Sequence, residues 1–70
     1  MDELQDLINE SERMEQYWQR MSETLSIQKE KIEKNGGEPY DRIQDLLDMS
    51  VQQYHLFNAL IVELNIVKHG

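Results

Sequence analysis

Seventy residues, with fourteen acidic against seven basic side chains and no cysteine, bound this chain to one small domain, 1–70, of net charge −7. The absence of cysteine excludes disulfides and thiolate metal sites. The acidity argues against direct contact with nucleic acid or an anionic membrane.

The N-terminus, "MDELQDL", has neither a basic n-region nor an apolar h-region, which predicts a cytoplasmic chain without a secretory signal. Asp2 is a candidate helix cap, with Gln5 placed to reach back as in a capping box. A 3–4 spacing then runs through Leu4, Leu7, Ser11, Met14, Trp18, Met21, Leu25, Gln28 and Ile32, predicting one long helix with a single apolar seam. "KNGG" stops it: Lys34 suits the negative dipole end, and Gly36 or Gly37 can take the left-handed conformation.

"EPYD" starts a second helix, with Pro39 in its first turn and Glu38 and Asp41 at its positive end. Its predicted seam is Ile43, Leu46, Ser50, Gln53, Phe57, Leu60, Leu64 and Val67. Two such helices joined by a short glycine turn predict an all-α fold: an antiparallel two-helix hairpin, about 2–35 and 39–68. The turn sets the pairing: Ile32 opposite Ile43, Leu25 near Ser50, Trp18 near Phe57, and Ser11 near Leu64.

One seam per helix is a thin core for a chain without disulfides or metal. "FNALIVELNIV" is nevertheless apolar on nearly every side, and a second stripe, Ala59, Val62 and Ile66, points away from the hairpin partner. Left uncovered, that stripe would be a sticky patch of the kind that marks an interface. It predicts a homodimer, a four-helix bundle joined through Ala59, Val62, Ile66, Ile61 and Tyr54.

No catalytic motif is present. "NGG" lacks the strand and the Lys-Ser/Thr of a phosphate loop. His55 and His69 have no carboxylate at metal-binding spacing. Ser11 and Ser50 have no base within a turn, so they read as small seam residues rather than nucleophiles. Trp18 reads as core, and Tyr17 and Tyr54 as flanking aromatics with wet hydroxyls. The expectation is a protein that is not an enzyme and takes no cofactor and no metal.

The acids collect at the start of each helix: Asp2, Glu3, Asp6 and Glu10 on the first, Glu38, Asp41, Asp45 and Asp48 on the second. Asp41, Asp45 and Asp48 share one helix face with few bases at pairing distance, an arrangement that is costly unless a partner or solubility repays it. Carboxylates at that spacing are a thin imitation of a phosphate backbone, and a dimer would be a denser one. In length, acidity and helicity, with these acids carrying the likeness, the chain resembles the small cysteine-free phage proteins that shut down host factors. Some of those mimic DNA, including a Bacillus phage inhibitor of the histone-like protein HU. That resemblance implies a basic host DNA-binding partner of the HU kind, reached in the nucleoid, with the eight acids as the epitope.

Two other functions remain open on the residues. One is a coiled-coil structural or assembly adaptor binding through the apolar C-terminal half of the second helix, the acids serving solubility. The other is a helical oligomer that sequesters a small ligand, for which Lys29, Lys31 and Lys34 are the one basic cluster.

Overall fold

A computed structural model describes residues 2–37 and 41–70, with Asp41 described by its backbone alone. The chain forms two helices, α1 (Glu3–Lys34) and α2 (Asp41–His69), packed against each other as a hairpin 53 Å long and 16 by 13 Å across. The expected start of α2, with Glu38 and Pro39 at its head, lies outside the described residues.

The ends of α1 follow from local chemistry. Asp2 caps it: one carboxylate oxygen accepts from the Leu4 and Gln5 backbone N–H groups at 3.1 and 3.2 Å. The capping box does not close, because the Gln5 side chain donates to Asn9 Oδ1 at 2.9 Å and accepts from Lys68. At the other end Gly36 sits at φ +76°. Its N–H reaches the Glu33 carbonyl, and the Gly37 N–H reaches the Ile32 carbonyl at 3.0 Å. This pair of hydrogen bonds around a left-handed glycine ends the helix and satisfies two of its last carbonyls. A Cβ on Gly37 would meet the Ile32 side chain and carbonyl at 3.3 Å, so the turn is also tight.

The seam keeps the predicted 3–4 spacing but shifts one residue later where Leu7, Gln28, Leu46 and Leu60 were expected, while Met14, Met21 and Gln53 are as half-buried as Glu15, Ser22 and Tyr54 beside them. On α1 it runs through Leu4, Ile8, Ser11, Glu15, Trp18, Ser22, Leu25, Lys29 and Ile32; on α2 through Ile43, Leu47, Ser50, Tyr54, Phe57, Ile61 and Leu64. Ile8 and Ile43, each 2% exposed, are the fully buried hydrophobic residues, whereas Leu7 is 56% exposed and Leu46 and Leu60 are exposed as well. The reason lies in neighbouring apolar pairs. Leu7–Ile8, Leu46–Leu47 and Leu60–Ile61 each offer two adjacent positions, and only one of each pair can face the partner helix.

Serines let the helices close. Ser50 is 1% exposed and Ser11 is also buried. Each turns its hydroxyl back onto its own helix, donating to the Leu47 and Leu7 carbonyls at 2.7 Å. Three bonds between the helices share one antiparallel alignment: Lys29 donates to Gln44 at 2.5 Å, Asn58 to Glu15 at 2.9 Å, and Lys68 to Gln5. That alignment lies within half a turn of the expected pairing.

Candidate binding surfaces

The seam divides the surface of the hairpin into two unlike sides. All three bonds between the helices lie along one of them. Its shallow groove is lined by Ser22, Glu23, Ser26 and Ile27 of α1 and by Leu47, Asp48 and Val51 of α2. Glu23 and Asp48 therefore face each other across the groove, and Glu30, one heptad beyond Glu23, continues the acid toward the turn. Two lysines on this flank are held by amides: Lys68 by Gln5, and Lys29 by Gln44, whose amide donates in turn to Asp48 at 2.9 Å.

The other side is apolar. Its groove, about 510 Å³, is lined by Tyr17, Trp18, Met21 and Leu25 with Leu46, Met49 and Gln53. Along α2 the same side continues through Leu56, 61% exposed, Leu60, and Val67, 67% exposed. Tyr17 stands edge-on to Trp18, ring centres 5.1 Å apart. Trp18 is half-buried, and its indole N–H is buried without a hydrogen-bond partner. An unmet buried donor costs on the order of 1–3 kcal/mol.

The acids named from sequence separate on this frame. Glu3, Asp6 and Glu10 are exposed at the open end; Asp45 and Asp48 are exposed on the half of α2 nearest the turn. Antiparallel packing thus sends the two acidic groups toward opposite ends of the rod and does not join them. Asp2 is partly committed as the cap of α1, and Glu10 pairs with Arg13 at 3.2 Å, the one ion pair among the described residues. Glu38 and the Asp41 side chain lie outside the described residues. Glu23 and Glu30, absent from the sequence-derived epitope, are the acids that the fold sets on one flank with Asp48. Their seven-residue spacing and shared row were the signal.

The expected dimer stripe separates as well. Ala59 and Ile66 are exposed on the back of α2 and Val62 is exposed in the row of Asp48, but Ile61 and Tyr54 are half-buried on the seam, so they pack within the hairpin. The phase of the heptad explains this, since both stand at positions facing α1. Lys29, Lys31 and Lys34 do not converge: Lys29 turns to Gln44, and Lys31 and Lys34 are exposed on other faces. His55 is exposed beside Tyr54, ring centres 5.4 Å apart. Among the described residues no three His, Cys, Asp or Glu side chains are placed to hold a metal ion, and no helix is long and apolar enough to cross a membrane. Comparison with protein-family models, with curated proteins and with solved structures gives no match.

Proposed function

We propose that this chain is a non-enzymatic acidic binding protein that covers the DNA-binding surface of a basic DNA-binding protein of the HU kind, acting in the cytoplasm at the nucleoid. The observation that carries this reading is the separation of charge across the hairpin. Glu23, Glu30 and Asp48 are exposed on one flank, none of them in an ion pair among the described residues, and Lys29 on that flank is occupied by a neutral amide. Carboxylates gathered on one flank repel one another weakly through water, a cost that a basic partner removes on contact. Glu23 and Glu30 stand ~10 Å apart along the helix, sparser than DNA phosphates. Affinity therefore comes from the flank as a whole and falls steeply with salt.

The test is competition. Fluorescently labelled duplex bound to an HU-type protein is titrated with this protein at low and at high salt, and anisotropy reports release. Release is expected at low salt, and loss of it is expected when Glu23→Gln, Glu30→Gln and Asp48→Asn are combined. No release by the parent at any salt would refute the reading.

The exposed apolar residues of α2 away from the apolar groove, Ala59, Val62 and Ile66, favour a second reading, an assembly adaptor binding through the C-terminal half of that helix. Its partner would stay bound as salt is raised, and Val62→Lys with Ile66→Lys would release it.

A further inference from the structure

We infer that the apolar side of the hairpin is covered by a second copy of this chain lying antiparallel to the first. The two-fold axis crosses the rod at its middle, level with Met21 and Gln53. This contact differs in place from the stripe on the back of α2 and does not depend on the proposed function.

Area gives the first argument. A compact monomer of 8.4 kDa is expected to expose about 4,600 Å², and this chain exposes 5553 Å². The rod shape accounts for part of the excess, but its size, roughly 900 Å², is close to the ~800 Å² that one partner contributes to a standard interface. The broad side of a rod 53 by 16 Å is large enough to supply it. Exposed Leu7, Tyr17, Leu46, Met49, Leu56 and Leu60 place apolar surface along that side.

Charge gives the second argument and selects the occupant. The rims of the apolar side are rows of seven-residue spacing. On α1 the row reads Glu10, Tyr17, Thr24, Lys31; on α2 it reads Arg42, Met49, Leu56, Glu63. The bonds from Lys29 to Gln44 and from Asn58 to Glu15 fix which residues stand level. On that alignment Arg42 is level with Lys31 at the turn end, and Glu63 is level with Glu10 at the open end. All four are exposed. Each rim is therefore basic at one end, acidic at the other and uncharged between, and the midpoints of both coincide at Met21 and Gln53.

A second hairpin turned end for end sets Lys31 over the partner's Glu10 and Arg42 over the partner's Glu63. The two-fold repeats each pair. Glu10 keeps Arg13 as a neighbour on its own helix and is shared between the two cations. The other two-fold arrangement, rods side by side in the same direction, would place Lys31 over Arg42 and Glu10 over Glu63. Like charges would meet at both ends. A foreign apolar helix would cover the groove without using this symmetry, whereas a second copy uses all four charges.

Two measurements test the arrangement. A nitroxide on Lys34→Cys, an exposed position off the interface, reports the distance between copies. The antiparallel dimer places the labels ~40 Å apart and the parallel one under ~30 Å. In sedimentation equilibrium, Glu10→Lys with Glu63→Lys should weaken the dimer by roughly tenfold or more. Adding Lys31→Glu and Arg42→Glu to that pair should restore it. All four positions are on the surface, so circular dichroism should show unchanged helix content. A monomer at ~100 µM, a label distance under ~30 Å, or four swapped charges that fail to rescue the dimer would each overturn the inference.

Discussion

Removing one side chain from each of two adjacent residues tests the phase of the seam. Ile8 is 2% exposed and Leu7 is 56% exposed, although the two are neighbours and similar in volume. Truncation of a fully buried Ile to Ala costs about 2–5 kcal/mol, because the transfer term and a residual cavity add. Leu7 has more than half of its surface in water already. Losing three carbons at ~0.8 kcal/mol each, scaled by the buried share, leaves about 1 kcal/mol, and the better helix propensity of Ala offsets part of that. A seventy-residue domain is worth only about 3.5–10 kcal/mol in total.

Ile8→Ala should therefore lower Tm by at least about 10 °C and shift the urea midpoint visibly, while Leu7→Ala should lower Tm by less than about 8 °C. Circular dichroism at 222 nm reads both, at a protein concentration low enough that every variant is monomeric, because Leu7 lies on the side that a second copy would cover. Equal penalties, or a larger one at Leu7, would show that the seam runs through Leu7 and that the apolar side is misplaced.

Three further substitutions probe the seam and the turn. Ser50→Leu should destabilise by about 1–3 kcal/mol, because the helices touch where the serine is 1% exposed, while Ser50→Ala should stay within about 0.5 kcal/mol; urea unfolding distinguishes them. Trp18→Phe removes a buried indole N–H that has no partner, so it should be near neutral, against about 3–5 kcal/mol for Trp18→Ala; comparable losses in thermal melts would show that the N–H is satisfied in solution. Gly36→Ala forces a Cβ into the left-handed region and should cost about 1–2 kcal/mol, whereas Gly36→Asn should cost less; a neutral alanine variant would mean that the turn does not need φ +76°.

The helices, their antiparallel pairing and the glycine stop were legible because they rest on local signals: a sustained 3–4 spacing, an aspartate before it and two glycines after it. The phase was not. At Leu7–Ile8, Leu46–Leu47 and Leu60–Ile61 two apolar residues stand side by side, so two parallel stripes fit the same spacing, and Ser11, Trp18, Ser50 and Phe57 belong to both. The discriminating signal is the polar row next to the true seam, Gln5 on α1 and Gln44, Asn58 and Asn65 on α2. Gln5, Gln44 and Asn58 bond across the hairpin, which requires Ile8, Leu47 and Ile61 to turn inward, while Asn65 bonds back to its own helix. Choosing the other stripe exchanges the seam with the open apolar side, which is why Leu46 and Leu60 were read as core and Ile61 as interface. The acidic epitope was half legible for a similar reason. Proximity to a helix start is visible in one dimension, but the flank joining Glu23, Glu30 and Asp48 exists only once α1 and α2 are aligned.

The two proposed surfaces constrain each other through their positions. The acidic flank and the apolar side lie on opposite sides of the seam. A second copy packed on the apolar side therefore leaves both acidic flanks facing outward, in opposite directions and toward opposite ends of the bundle. They do not merge into one denser stripe, as stacking two acidic chains suggests at first. Each flank meets a basic partner alone, so a dimer should bind two partner surfaces, one per chain, without competition between them. Isothermal titration should give one partner site per chain, and the complex should sediment with the mass of two of these chains and two partner units. The charge-swapped variant that breaks the dimer should keep the same ratio and nearly the same affinity per site, because Glu10 and Glu63 lie off the flank of Glu23, Glu30 and Asp48. A ratio of one partner site per dimer, or loss of partner binding on dissociation of the dimer, would show that the epitope spans both chains. Either result would place the binding acids at the ends of the bundle, where Glu3 and Asp6 of one copy approach the turn of the other.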